Sequence, residues 1–196
     1  TFLDMFNHDS VEFYLEQSYG KMWTDFEDEY GKTIMSIWVD EPSYSSDYFP
    51  YPRGIEEEFK KRWGYSLKEN IYKLYCDEEG YQSVRYHYRI LLQEMLEDNY
   101  FKMLRRWCND HGLLASGHLM LEDTLEFQIT RACAAMPYYK YFDIPGIDLL
   151  CGQMNWRSGE IKPEAKYSYR PTITTTPIQC ASAARQCGSE HILCEM

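Results

Sequence analysis

Apolar positions along this chain recur either every three to four residues or in short unbroken runs, a pattern that predicts helices separated by buried strands. Val11, Leu15, Met22 and Phe26 mark one face of a helix that the spacing starts at an N-cap on Asp9 and stops at Gly31. Residues 33–39, TIMSIWV, read as a strand, and a loop rich in Ser, Tyr and Pro follows over 42–53. Residues 54–76 are helical with a break near Gly64. The longest helix spans 83–112, with Leu91, Leu92, Met95, Leu96, Met103, Leu104 and Trp107 on its apolar positions and Gly112 closing it. LLASGH, 113–118, is the next strand. A helix over 123–139 follows until Pro137 disturbs it, then a short buried strand over 147–151 and a polar loop over 153–176. Thr176 and Pro177 give an N-cap and a Pro at N1 for a helix ending at Gly188. HILCEM, 191–196, is the last strand.

Strands separated by helices of ten or more residues imply a parallel sheet and an α/β fold. Four strands are visible, whereas a closed eight-stranded barrel takes about 250 residues. The chain has 196 residues, starts at Thr1 without an initiator methionine, and stops on a strand. The expectation is therefore a single α/β domain over 1–196 that is a fragment of a larger TIM (β/α)8-type barrel. A complete four-stranded doubly wound domain is the alternative.

Composition narrows the function. Hydrophobic residues make up 44% and charged residues 26%, as in an ordinary globular chain. No run approaches the length of a membrane-spanning helix, and the first residues lack the pattern of a secretory signal. The net charge of −11 argues against nucleic acid and against an anionic membrane as partners. The 18 tyrosines fit a Tyr-rich core or stacking platforms for a neutral sugar. The seven cysteines form no CxxC pair, and Cys133, Cys151 and Cys194 sit in apolar or small-residue runs. Buried free thiols in a reducing, cytoplasmic compartment are expected.

Candidate chemistry lies at the strand ends, because parallel α/β folds build their sites at the carboxyl ends of strands. The first strand ends at Asp40-Glu41 and the second at His118, with Glu122-Asp123 just beyond. The third carries Asp148 and the fourth Glu195. One such acid is often only a helix cap, and Asp123 has that position. Acids or a histidine on four successive tips suit the paired carboxylates of glycoside hydrolysis. No GxxxxGK, GxSxG or HExxH motif is present.

Several stretches, in order, resemble bacterial TIM-barrel glycosyl hydrolases of the α-L-rhamnosidase-like kind. They are the entry FLDMFNHDSVEFYLEQSYGKMWTDFEDEYGKTI, the strand end IWVDEP, WCNDHGLLASGH, DIPGIDLL and ASAARQCGSEHILCEM. The resemblance implies that these strands are the fourth to seventh of a barrel and that Glu41 and Glu195 are the catalytic pair. On this reading Glu41 is the general acid and Glu195 the nucleophile or base, with Glu122 competing for either role. Asp40 would keep Glu41 protonated or bind the sugar. His118, Asp148 and Glu122 would bind sugar hydroxyls, or a Ca²⁺ ion that does so, and Tyr44, Tyr48 and Tyr51 would line the sugar site. The chain departs from the family's pattern at Trp38-Val39, where Phe-Thr is usual, and at Cys194, where Ser is frequent.

Two other readings stay open. Asp40, Glu41, His118, Glu122, Asp148 and Glu195 also suit an Mg²⁺-, Mn²⁺- or Ca²⁺-dependent barrel isomerase or hydrolase. Alternatively the chain is a non-catalytic carbohydrate-binding fragment whose exposed strand edges pair with the remainder of a barrel or with a second copy.

Overall fold

The computed structural model describes residues 3–44, 48–122, 124–148 and 172–195. Four strands, β1 (Ser36–Val39), β2 (Leu114–Gly117), β3 (Ile144–Asp148) and β4 (Leu193–Glu195), form one parallel sheet in the order in which they occur along the chain. Parallel neighbours cannot be joined by a hairpin, so helical crossovers connect them. Between β1 and β2 lie α3 (Ile55–Trp63), α4 (Leu67–Asn70), α5 (Tyr81–Leu96) and α6 (Lys102–Asp110). Between β2 and β3 lie α7 (Leu125–Arg131) and α8 (Met136–Tyr139), and α9 (Thr172–Cys187) precedes β4. The expected mixed α/β class with a parallel sheet is what forms.

Local chemistry moves several boundaries. Helix α1 (His8–Leu15) is capped by Asn7, whose side chain accepts the Ser10 N–H at 2.9 Å, two residues before the expected cap at Asp9. A π-helical segment over 16–20 then adds residues to the turn before α2 (Lys21–Phe26). Val11 and Leu15 are buried, but the inserted turn swings Met22 and Phe26 out to half exposure. The long helix behaves as expected, with Leu91, Leu92, Leu96 and Leu104 in the core and Gly112, at φ +71°, closing it. Thr124 caps α7 by accepting the Phe127 N–H, while Asp123 lies outside the described residues, as do Cys151 and most of the 153–176 loop. Helix α9 begins at Thr172, so Thr176 is not its N-cap and Pro177 sits inside it. Strand β3 starts three residues earlier than expected and takes in Pro145. Cys108, Cys133 and Cys180 are buried as expected, but Cys76, Cys187 and Cys194 are exposed, the last because all of β4 is.

The two faces of the sheet differ. Ile37, Val39, Ala115 and Ile147 join a core with Leu91, Leu92, Phe101, Leu104 and Phe142 from the helical side. Burying each large side chain is worth roughly 1.5–3 kcal/mol. Tyr88 and Tyr138 are fully buried in this core and place their hydroxyls on the carbonyls of Pro50 and Ala132, each at 2.7 Å. Side chains alternate along a strand, and partners in a parallel ladder share a side. Trp38 pairs with Ser116, and Ser116 with Ile144, so Ser36, Trp38, Ser116 and Ile144 lie on the opposite face. Two steps further along the strands, that face carries Asp40, His118 and Gly146.

Two glycines make this close approach feasible. A Cβ on Gly117, at φ +154°, would stand 2.3 Å from the Val39 carbonyl oxygen. One on Gly146 would stand 2.9 Å from the Gly117 oxygen and 2.9 Å from Cη2 of Trp38.

Candidate active site

The carboxyl ends of the strands bring most of the candidate residues together. Just past β1, Asp40 puts Oδ1 2.9 Å from Nε2 of His118, the residue that follows β2. The same Nε2 stands 3.3 Å from Oε2 of Glu195 on β4. His118 is 1% exposed, whereas Asp40 and Glu195 are open to solvent. The His118 Nδ1 faces the Leu119 carbonyl at 3.4 Å. Both ring nitrogens therefore look at oxygen acceptors, and a neutral ring has one N–H for the two sides. A cation at Nε2 would satisfy the arrangement. Ligand atoms of Asp40, His118 and Glu195 all lie within 4.8 Å of one another, an oxygen-rich set with one imidazole that fits Mg²⁺, Mn²⁺ or Ca²⁺.

Glu41 is held beside this group in an unusual backbone conformation. Its φ is +49°, a left-handed value that non-glycine residues seldom adopt and that concentrates at functional sites. Burial pushes its carboxyl above the usual range. His118 opposes that shift, and the charges of Asp40, Asp148 and Glu195 add to it. A carboxyl raised by burial beside other carboxylates holds its proton more tightly than a free one does.

Asp148, at the end of β3 opposite Glu195, completes the row. Burial raises its carboxyl too, with His118 opposing and Glu195 and Asp40 contributing. Its Oδ1 is buried and has no hydrogen-bond partner among the described residues. A buried acceptor left open costs free energy unless a donor arrives. Asp40, Glu41, His118, Asp148 and Glu195 thus form one electrostatic group on four adjacent strands.

Glu122 is placed differently. It is 3% exposed, and its carboxylate faces inward to backbone rather than to the open cluster. Oε2 accepts the Leu119 N–H at 2.9 Å and the Tyr139 hydroxyl at 3.2 Å, and Oε1 accepts the Asp148 N–H at 3.0 Å. Its own carbonyl accepts from Gln128 and Thr176. Burial pushes its carboxyl up to about 7 despite these donors. Its bonds to Leu119 and Asp148 fasten the loop after β2 to the tip of β3. Its neighbour Leu121, at φ +50°, turns it inward.

Tyr44 is not brought to the cluster. Its N–H bonds to the Arg131 carbonyl, and its hydroxyl donates to the Ile129 carbonyl at 2.6 Å and accepts from Arg89 at 2.7 Å. The ring is buried against Phe6. Tyr48 and Tyr51 are exposed. Trp38 was not singled out as a site residue by sequence, yet its indole lies 5.5 Å from the His118 ring. The signal available for it was its place two residues before Asp40, on the same face of an alternating strand.

No protein-family model matches the chain, and no curated protein matches it. Fold and site therefore define its class: a mixed α/β chain whose parallel sheet gathers an acid–histidine cluster at the carboxyl ends of its strands. No helix among the described residues is long and apolar enough to cross a membrane.

Proposed function

We propose that this chain is the central part of a glycoside hydrolase barrel that cleaves a glycosidic bond with paired carboxylates. The observation that carries the reading is the convergence of Glu41, with its raised carboxyl, and Glu195 on one cluster at the carboxyl ends of adjacent parallel strands. The strand order also supports it. Doubly wound sheets reverse their order at a switch point, whereas β1 to β4 run in sequence as a barrel wall does. The resemblance to α-L-rhamnosidase-like barrels points the same way.

In this mechanism Glu41 gives its proton to the glycosidic oxygen as the bond to the anomeric carbon breaks. Glu195 either attacks that carbon or takes a proton from the water that attacks it. His118 keeps Asp40 and Glu195 in place, and the open Oδ1 of Asp148 accepts a sugar hydroxyl. Aryl glycosides of neutral sugars test the reading. Glu41→Gln and Glu195→Gln should each slow hydrolysis by about 10²- to 10⁴-fold. Hydrolysis at the wild-type rate in both variants would sink it.

A second reading is favoured by the Asp40–His118–Glu195 triad, whose ligand atoms could hold a divalent cation. Activity lost on chelation and regained with Ca²⁺ or Mn²⁺, but insensitive to Glu41→Gln, would replace the glycosidase with a metal-dependent barrel enzyme.

A further inference from the structure

We infer that Trp38 is the floor of the ligand site and stacks against the apolar face of a neutral pyranose ring held by the acid–histidine cluster. This rests on the glycosidase reading and adds the residue that would orient the sugar and select its charge class.

The strand itself places the indole. Trp38 and Asp40 share one face of β1, and the partners of that face on β2 and β3 are Ser116, His118 and Gly146. From β1 the ring reaches across β2 to β3, where Gly146 has no side chain. A Cβ there would fall 2.9 Å from Cη2 and 3.3 Å from Cζ3 of the indole. The sheet therefore keeps a gap that admits the ring beneath the cluster. The indole passes 5.5 Å from the His118 ring at an interplanar angle of 45°, and it remains half-buried, not sealed.

Chemistry then selects the ligand. A pyranose presents one face of C–H groups, which suits an aromatic surface, and a rim of hydroxyls, which suits carboxylate acceptors. The rim acceptors here are Asp40, Asp148 and Glu195, and the buried Oδ1 of Asp148 still lacks a donor among the described residues. Four acids around one histidine repel an anionic sugar such as a uronate. The site suits a neutral ring stacked on Trp38 with its hydroxyls toward the strand tips.

Solution NMR on the full chain tests this, with neutral methyl pyranosides as probes and a methyl glucuronide as the anionic control. The sugar's C–H protons should move upfield in the ring current of the indole, and the glucuronide should not bind. Trp38→Ala should weaken binding about tenfold, and Trp38→Phe by less. Trp38→Phe carries the comparison if the alanine variant does not fold. Glu41→Gln should slow hydrolysis by about 10²- to 10⁴-fold and keep both binding and the upfield shift. Binding without that shift, or binding undiminished in both Trp38 variants, would overturn the floor and leave the glycosidase reading in place. No binding of any neutral pyranoside would overturn both.

Discussion

Replacing Glu122 by Gln separates the cost of burying a charge from the value of the bonds that charge accepts. In the folded protein burial lifts the carboxyl from 4.5 to about 7. At about 1.4 kcal/mol per pH unit, that difference is about 3 kcal/mol of ionisation cost. The folded state holds the proton more tightly than the unfolded chain does. The group's contribution is therefore fully present below about pH 4.5 and is lost as pH rises through about 7. Gln has one acceptor oxygen where Glu122 uses two. If that oxygen keeps Leu119 N–H and Tyr139, the amide NH₂ faces the Asp148 N–H, and a donor goes unmet at about 1–3 kcal/mol. At about pH 5, where Glu122 is largely neutral, Glu122→Gln should be less stable than wild type by about 1–3 kcal/mol. At about pH 8 the wild type has given up its own 3 kcal/mol or so, and the variant should be equal to it or up to about 2 kcal/mol more stable. Urea unfolding of both proteins at the two pH values reads this directly. A stability gap that does not change with pH would mean that Glu122 is charged throughout, and the burial argument would fail.

Two further substitutions probe the site's construction. Gly117→Ala must displace the Val39 carbonyl oxygen, 2.3 Å from the new Cβ, and should cost about 3 kcal/mol or more in urea unfolding; an unchanged midpoint would refute the close approach. Asp148→Asn removes a carboxyl that burial raises from 3.8, so thermal melts should show the variant's stability relative to wild type increasing as pH rises from below that value to neutral, with weaker sugar binding alongside. A gain that is larger at the acid end would contradict the direction given for Asp148.

The strand tips were legible because short apolar runs ending in acids mark the carboxyl end of a buried strand whatever its neighbours do. Asp40, His118, Asp148 and Glu195 meet for that reason. Strand β3 begins before Pro145, and a proline that forfeits a ladder bond in a central strand hides that start from the sequence pattern. Pro177 misled in the same way about α9, since a helix interior disfavours proline. Tyr44 went astray because a loop carries no periodicity. Nothing local shows that its N–H would bond to Arg131 and draw the ring into the core. The bonds that Glu122 makes to Leu119, Tyr139 and Asp148 had no local signal, because those partners are brought around it only by the fold.

The cluster gathers four carboxyl groups, Asp40, Glu41, Asp148 and Glu195, whose mutual repulsion opposes the fold that gathers them, and the segment just after β2 supplies two restraints. His118 offers a buried donor to Asp40 on one flank and stands against Glu195 on the other, across the width of the sheet. Glu122, four residues later, fixes the backbone of Leu119 and the backbone of Asp148 with one carboxylate. One restraint acts on side chains and the other on main chain, so they fail differently. Loss of the His118 imidazole would leave the strand tips aligned while Asp40 and Glu195 separate by repulsion. Loss of the Glu122 carboxylate would leave His118 bridging β1 and β4 but free the tip of β3 that aims Asp148. The left-handed turns at Glu41 and Leu121 belong to the same construction. Each costs of order 1–3 kcal/mol, and each redirects an acid that a regular chain path would send elsewhere, one toward the cluster and one beneath it.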